Sequence, residues 1–466
     1  MYRVDRDSLG EVRVPRDAYY GPFTARALEH YNATGQRMHA NMVRAYVMIK
    51  RSAALANMEL NVLEREKGDA IVRACDAILA GELVEHFPID ALNSGAGTAF
   101  NMNVNEVIAN KALELLGRRK GDYSYLHPND HVNMSQSSND TFPTALHLAI
   151  LLSSRDLLTS LDRLISSLRS KAEEFRHVLK IGRTHLMDAL PVTLGSEFSA
   201  YANAIEDARR YLMSALEELR YVALGGTAVG TGANAPDGYR VLAIRYLAEV
   251  SGIDLKPARD MQYALQSRLA VAYVSSCLRN LALELIRIAN DLRLMASGPL
   301  AGLGELTIPA VHAGSSIMPG KVNPSLAECL NMICFNVVGN DACVALAVQA
   351  GQLELNVMLP VMARCVLDSM DMLSRFLPVF AEHMVDGLKA NEARLREGVE
   401  SNPIMVTLLS PYIGYVKAAE LYKEALRQGV SIRHLVVREG LMDERKVDEV
   451  LASAAGPADH TRKKEE

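Results

Sequence analysis

Four stretches rich in glycine, hydroxyl and amide side chains interrupt long helical patterns in this sequence. They read SGAGTAFNMNVN at residues 94–105, HPNDHVNMSQSSND at 127–140, GRTHLMD at 182–188 and GSSIMPGKVNP at 314–324. Each stretch alone is explained as a helix cap or turn, because caps and turns use the same residue types. Together they supply hydroxyls, amides, a lysine and histidine, without paired carboxylates or a metal cluster. That inventory suits the binding of a small dianion, whose oxygens need neutral donors and a cation.

A fifth stretch, GGTAVGTG at residues 225–232, is rich in glycine in the manner of a nucleotide-binding loop. It lacks the GxGxxG spacing and the strand that precedes such a loop. We therefore predict a close-packed or flexible backbone there.

The loop GSSIMPGKVNP resembles the signature loop of the fumarase/aspartase superfamily, and the stretches at 127–140 and 182–188 match that family in order and separation. The resemblance runs from about residue 3 to about residue 452. It implies an all-α fold with a long-helix bundle core and small N- and C-terminal domains. It also implies a homotetramer with a twenty-helix core, in which three subunits contribute to each active site. No metal or organic cofactor is implied.

The activity implied by the resemblance is reversible elimination from a C4 dicarboxylate to give fumarate. In the family the base is the first serine of the signature loop, here Ser315. A serine hydroxyl is a poor base unless its alkoxide is stabilised, and the loop amides and Lys321 are the sources we expect. By the same resemblance, Lys321 and Asn323 hold the α-carboxylate of the substrate, and Ser316 is a further substrate-binding residue.

Extra negative charge develops on the β-carboxylate during proton removal. By resemblance, Thr98, Ser137 and Ser138 surround that group. Asn139 and Thr98 face the leaving group.

Two residues of the third stretch, Thr184 and His185, complete the pocket that the resemblance implies. His185 donates to a carboxylate or assists the leaving group, with Glu328 as its orienting partner. Without the family, a single histidine after a threonine is more typical of a structural role.

The residues that distinguish ammonia from water as the leaving group do not all favour the same branch of the family. Ala96 is aspartase-like, since fumarases typically have a serine there in the corner that binds water. Three further stretches also favour an aspartase: KGDYSY at 120–125, DLRLM at 291–295 and GQLELNVM at 351–358. Ser138 is fumarase-like, since aspartases usually have threonine there. The stretches GGTAVG at 225–230 and PGK at 319–321 also favour a fumarase, but only weakly. Pocket chemistry favours L-aspartate as substrate and ammonia as product, with fumarate hydratase, which releases water from L-malate, as the alternative.

Two positions depart from the family pattern. Ser124 stands where fumarases have the arginine of a second dicarboxylate site, which puts that site in doubt. Leu300 follows Ser297-Gly-Pro, where both branches normally have arginine.

Two further functions fit these residues less well. A non-catalytic helical scaffold is a remote alternative, because Ser315 and Lys321 are both present. A lyase for argininosuccinate or adenylosuccinate needs a larger pocket than the compact NDTFP pattern at 139–143 suggests.

The elements that must position these residues are helices. Apolar residues recur every three or four positions from Leu157 to Phe175 and from Val274 to Leu292, which predicts buried helical faces. The stretch from about 327 to 373 is apolar on more than one face, broken mainly by Gly339, Gly351 and Pro360, which predicts a buried position in a bundle or an oligomer interface. The best strand candidate is GEVRVP at 10–15.

These patterns predict an N-terminal lyase segment over 1–135, a central helical bundle over 136–385 and a small C-terminal segment over 386–466. The last residues, from 457 to 466, have the composition of a disordered polar tail.

Composition excludes several classes of protein. The net charge of −5 argues against nucleic-acid binding. The six cysteines show no CxxC pair, so we expect buried thiols in a reducing cytosol. The charged N-terminus does not resemble a signal peptide, and no uncharged run reaches the ~18 apolar residues of a membrane span. A cytoplasmic location is expected.

Overall fold

The structure, a computed structural model, describes residues 1–453 and is predominantly helical. The predicted disordered tail at 457–466 lies outside the described residues. The all-α fold expected from the resemblance is confirmed.

The α-helices of the described residues follow one another along the whole chain. They are α1 (Pro22–His30), α2 (Ala40–Glu59), α3 (Arg65–Leu79), α4 (Thr98–Leu115), α5 (Ser138–Glu174), α6 (Leu194–Glu218), α7 (Tyr239–Ser251), α8 (Met261–Gln266), α9 (Leu269–Met295), α10 (Ser325–Gln349), α11 (Leu359–Phe380), α12 (Glu392–Ser401), α13 (Val406–Ile413), α14 (Tyr415–Gln428), α15 (Ile432–Arg438) and α16 (Glu444–Ser453).

Short strands form two-stranded sheets between the helices. They are β1 (Tyr2–Asp7), β2 (Gly10–Pro15), β3 (Leu179–Thr184), β4 (Met187–Thr193), β5 (Tyr221–Val222), β6 (Lys256–Pro257), β7 (Leu306–Thr307) and β8 (Lys389–Ala390). The pairs β1–β2, β3–β4 and β7–β8 are antiparallel, and β5–β6 is parallel. The predicted strand at 10–15 is confirmed as β2.

The two helical faces predicted from apolar spacing are buried. On α5 the stripe is Leu157, Leu161, Leu164 and Leu168, and on α9 it is Val274, Leu278, Leu281, Leu285, Ile288 and Leu292. Residues three and four apart share one face of a helix, so each stripe packs as a continuous line.

The apolar stretch from 327 to 373 forms two helices, and one predicted break is wrong. Gly339 lies inside α10 and does not interrupt it; a Cβ at this position would meet nothing within 4 Å. The break lies at residues 350–358, which include Gly351, and Pro360 falls in the first turn of α11, where its missing N–H is tolerated.

Helices α9 and α10 are long and apolar enough to cross a membrane by length and composition alone. Their most apolar 18-residue windows are 44% and 33% buried within this single chain. Core helices of soluble proteins pass the same test, so these windows are weak support for a membrane span.

The chain divides into two compact units. The first comprises residues 1–159, 208–283 and 333–374, and the second comprises 160–207, 284–332 and the described residues from 375 to 453. The three-segment division expected from the sequence stays a prediction.

In the first unit, α2 packs against α3, α4 and α7. Tyr46 of α2 is fully buried and meets the rings of Phe100 and Phe142 edge-on, with centroids 5.2 and 5.9 Å away. These rings lie beside the first turns of α4 and α5, where two of the polar stretches begin their helices.

In the second unit, β3 packs against α12, and α13 to α16 form a small hydrophobic core. Lys180 of β3 is almost fully buried, and its ammonium lies 3.0 Å from Glu197 and 2.9 Å from Glu305. Arg183 of the same strand reaches the second oxygen of Glu305 at 2.7 Å. This ion-pair network holds the β3–β4 hairpin against the rest of the unit.

Candidate active site

The first polar stretch, residues 94–105, contains the N-terminus of α4, whose first residue is Thr98. The preceding Gly97 has φ +63°, and a Cβ on it would collide with the Phe142 ring, so only glycine fits this turn. The turn brings the Thr98 hydroxyl to 3.1 Å from the hydroxyl of Ser138. Two helix N-termini therefore present neighbouring hydroxyls in the first unit.

Ser137 and Asp140 cap the N-terminus of α5. The Ser137 hydroxyl accepts a hydrogen bond from the Asn139 amide at 3.2 Å, and Asp140 Oδ1 accepts from the Ser137 amide at 3.0 Å. This is a capping box with aspartate in the reciprocal position. Because the cap fixes the first turn, the side chains of Ser138 and Asn139 are held at a helix end that favours negative charge.

Asp140 also ties this cap to the GGTAVGTG stretch. Its Oδ2 accepts hydrogen bonds from the amides of Gly225 at 3.0 Å and Thr227 at 2.9 Å, and Asn139 Nδ2 donates to the Ala228 carbonyl at 2.9 Å. The close-packed backbone predicted for the stretch is confirmed, since a Cβ on Gly225 would lie 2.7 Å from the Arg240 side chain. Burial raises the pKa of Asp140 to about 6, against the effect of these amides.

Lys50, which no sequence pattern indicated, lies beneath the same helix ends. It is fully buried, and its ammonium donates to Asn101 Oδ1 at 2.7 Å and Asn133 Oδ1 at 2.8 Å. Asn101 lies one turn beyond Thr98, and Asn133 lies in the stretch that leads to Ser138. Burial lowers the pKa of Lys50 to about 7, opposed by the negative charge of Asp140.

The signature loop belongs to the second unit and closes on itself. The Ser315 amide donates to the Lys321 carbonyl at 3.2 Å, and the Lys321 amide donates to the Met318 carbonyl at 3.2 Å. The Ser315 hydroxyl oxygen accepts hydrogen bonds from the amides of Ile317 at 3.3 Å and Met318 at 3.2 Å. Two backbone N–H groups aimed at one oxygen stabilise negative charge on it.

His312, which was not among the predicted residues, anchors both ends of this loop. Its Nδ1 accepts from the Gly314 amide at 3.3 Å, and its Nε2 lies 3.0 Å from the hydroxyl of Ser325, the first residue of α10. An accepting Nδ1 leaves the proton on Nε2, so Nε2 donates to Ser325. A histidine two residues before a glycine-rich loop was the available signal.

The other loop residues face outward. Ser316 and Lys321 are exposed, and Asn323 is partly buried. Glu328, in the first turn of α10, lies 3.8 Å from Arg293. In residues 1–453 of this single chain, no hydrogen bond or ion pair joins Glu328 to His185, so their pairing stays a prediction.

Thr184 and His185 lie at the tip of the β3–β4 hairpin. His185 and Leu186 both have positive φ, 57° and 62°, as the two central residues of a type I′ turn require. Residues other than glycine and asparagine rarely adopt this conformation, and its strain is typical of functional sites. The tip is exposed, with Leu186 and Met187 at 73% and 70% exposure.

The predicted residues thus form two groups. The first unit brings together Thr98, Ser137, Ser138 and Asn139 around the ends of α4 and α5. The second unit carries Thr184, His185, Ser315, Ser316, Lys321, Asn323 and Glu328. The roles assigned to these residues remain predictions.

Comparison with known proteins identifies the family. A family model described as lyase matches residues 10–339, and one described as the fumarase C C-terminus matches residues 405–455. An aspartate ammonia-lyase from Bacillus sp is 45% identical over 96% of each chain. A class II fumarate hydratase from Thermosynechococcus vestitus is also 45% identical over 96% of each chain.

A solved structure extends the similarity to the fold. The class II fumarase from Schistosoma mansoni is 38% identical, with a TM-score of 0.95, and the match covers 99% of this chain and 100% of that one. Over nearly its whole length, therefore, the chain belongs to the fumarase/aspartase superfamily of lyases.

Proposed function

We propose that this fumarate lyase converts L-aspartate into fumarate and ammonia. The observation that carries the choice is Ala96, which is buried directly before Gly97 and Thr98 and offers only a methyl group. A water-releasing enzyme needs a donor or acceptor for its leaving water in that corner, and the family's fumarases typically place a serine there. Relatives of both kinds are equally similar to this chain, so the preference comes from the pocket.

The proposed reaction begins with proton removal at Ser315. As an alkoxide, Ser315 Oγ takes a proton from the carbon next to the β-carboxylate. The C–H electron pair moves into that carboxylate, giving an aci-carboxylate with two negative charges. The amides of Ile317 and Met318 stabilise the serine oxygen before the transfer.

The second half of the reaction expels the leaving group. When the electron pair returns to form the double bond, the C–N bond breaks and ammonia departs with its bonding pair. Thr98, Ser137 and Ser138 donate to the β-carboxylate, while Lys321 and Asn323 hold the α-carboxylate. Asn139 and His185 face the departing group, and Glu328 orients His185.

Fumarate hydratase is the second candidate. Ser138 supports it, because aspartases usually carry threonine there, and the Ser138 hydroxyl points at Thr98. One methyl group changes discrimination by only ~1–3 kcal/mol, so this residue weighs less than the missing hydroxyl at Ala96.

The proposed enzyme is a cytoplasmic homotetramer whose active sites combine residues from three subunits. Support comes from α10, which exposes Met332, Phe335 and Leu346 in the single chain. A line of exposed apolar side chains on a long helix is typical of an oligomer interface. The scaffold alternative is remote, because Ser315 and Lys321 are present.

The decisive test measures fumarate formation by ultraviolet absorbance from L-aspartate and, separately, from L-malate. We expect fumarate from aspartate at a rate at least tenfold above that from malate. The Ser315→Ala variant, purified identically, controls for contaminating lyases. Faster turnover of malate would replace the proposal with fumarate hydratase, and turnover of neither substrate would support the scaffold.

A further inference from the structure

A cavity of about 420 Å³ lies in the first unit beside α5, between the end of α8 and the start of α9. Its walls include Pro143 and His147 of α5, Tyr263 of α8, and Ser267 and Arg268 of the connection to α9. None of these residues has a role in the proposed elimination. The volume falls in the range of sites for small metabolites.

Arg268 is the unusual residue of this cavity. Only 2% of its surface is exposed, yet its guanidinium forms no ion pair within the described residues 1–453. Its one hydrogen bond goes to the carbonyl of Ala264, and its Nε has no acceptor in that part of the chain. Buried charges in proteins are normally paired, because an isolated charge loses its hydration without compensation.

The surroundings of Arg268 do not supply the missing negative charge. His147 Nδ1 lies 3.1 Å from the Tyr221 carbonyl, and burial together with Arg268 lowers the pKa of this histidine to about 4. The histidine is therefore neutral at pH 7. A second guanidinium, that of Arg259, lies at the rim over the Tyr263 ring, 5.9 Å from its centroid. Glu218 also lines the cavity, but among the described residues it forms no ion pair with Arg268.

We propose that this cavity binds a small molecule bearing a carboxylate or phosphate group, with Arg268 as the buried counter-charge. The anion contacts the buried guanidinium, where shielding from water strengthens the charge-assisted hydrogen bond. The Ser267 hydroxyl is a second donor, since its oxygen already accepts from the Leu269 amide at 3.3 Å. Arg259 attracts the ligand at the rim.

The structural alternative is that Arg268 only caps the carbonyl end of α8. One carbonyl uses one of the five N–H donors of a guanidinium and neutralises none of its charge. Capping therefore accounts for the bond to Ala264 and leaves the burial of an uncompensated charge unexplained.

The test measures binding by calorimetry and melting temperature, with inorganic phosphate and succinate each compared with chloride at equal ionic strength. It uses the full-length protein and the Lys321→Met variant, in which the candidate active site loses its cation. We expect one or both anions to bind and raise the melting temperature in both proteins. The more effective anion identifies phosphate or carboxylate as the recognised group.

Arg268→Met should weaken that binding at least tenfold, and Arg259→Met only a few-fold. Arg268→Lys keeps the charge and should retain part of the affinity, which guards against misfolding of the methionine variant. Unchanged anion binding in Arg268→Met would overturn the proposal, as would no binding in the unmodified protein. If the unmodified protein binds neither anion and the Arg268→Met variant loses the oligomer, the counter-charge would instead be assigned to a second copy of the chain. None of these readouts depends on fumarate formation, so the elimination proposal stands or fails separately.

Discussion

The hydroxyls of Thr98 and Ser138 lie 3.1 Å apart, although 40 residues separate them in sequence. Each is the first residue of a long helix, so both hydroxyls stand where backbone N–H groups and helix dipoles already favour an anion. The Lys50 ammonium donates to Asn101, one turn beyond Thr98, and to Asn133, which precedes Ser138 in the second polar stretch. A buried ammonium thus connects the two chain segments that carry the hydroxyls of the proposed carboxylate pocket.

Thr98→Val and Ser138→Ala each remove one member of this hydroxyl pair. We expect kcat/KM for the preferred substrate to fall at least tenfold in either variant, because a donor to the developing charge is lost. In the double variant, the loss of transition-state free energy should be smaller than the sum of the two single losses, because the two hydroxyls contact each other. Ser154→Ala is the matched control, because its hydroxyl lies on α5 and donates only to the Leu151 carbonyl. Unchanged kinetics in both single variants would remove the pair from substrate binding.

Ala96→Ser tests the choice of leaving group. The new hydroxyl is placed one residue before Gly97, so we expect the ratio of malate to aspartate turnover to rise at least tenfold, which corresponds to about 1.4 kcal/mol or more of discrimination. Ser138→Thr should move the same ratio in the opposite direction. Steady-state rates with both substrates measure it. A ratio that does not respond to either change would mean that neither residue selects the leaving group.

Ser315→Ala should abolish elimination and leave the melting temperature unchanged, because a loop hydroxyl contributes little to the core. The closest control is Ser325→Ala, which removes the hydroxyl that contacts His312 at the end of the same loop and keeps Ser315. That variant should retain reduced turnover. Measurable turnover by Ser315→Ala above the assay blank would exclude Ser315 as the base.

Lys321→Ala should chiefly raise KM, because in the proposed reaction the exposed ammonium pairs with the α-carboxylate in both ground and transition states. Lys389→Ala, which removes another exposed lysine of the same unit, should leave KM unchanged. Initial rates across a substrate series separate the two parameters. An unchanged KM in Lys321→Ala would refute the assignment.

Local patterns could be predicted from the sequence, and long-range partners could not. The stripe from Val274 to Leu292 was predictable because helical spacing alone determines which side chains share a face. The low helix propensity of Gly339 predicted a break, but packing along α10 outweighs that propensity. Lys50 follows the apolar run Tyr46 to Ile49, and a lysine in a helix normally extends its ammonium to solvent. Its partners Asn101 and Asn133 lie more than 50 residues away.

Burial of Lys50 makes the stability of the protein depend on pH. The pKa of Lys50 is lowered from 10.5 to about 7 in the folded chain, so between these values the unfolded chain holds a proton that the folded chain lacks. Stability should therefore rise with pH across this window, by roughly 1.4 kcal/mol for each unit of the pKa difference. Below about pH 7 lysine is charged in both states, and this contribution becomes constant.

Lys50→Met removes the titrating group, so the rise in melting temperature above pH 7 should be smaller than in the parent protein. Lys389→Met, at an exposed position, should leave the slope unchanged. Melting curves from pH 7 to pH 10 for the three proteins measure the difference. Identical slopes in parent and Lys50→Met would mean that Lys50 stays protonated in the folded state. The negative charge of Asp140 would then outweigh the effect of burial on the pKa of Lys50.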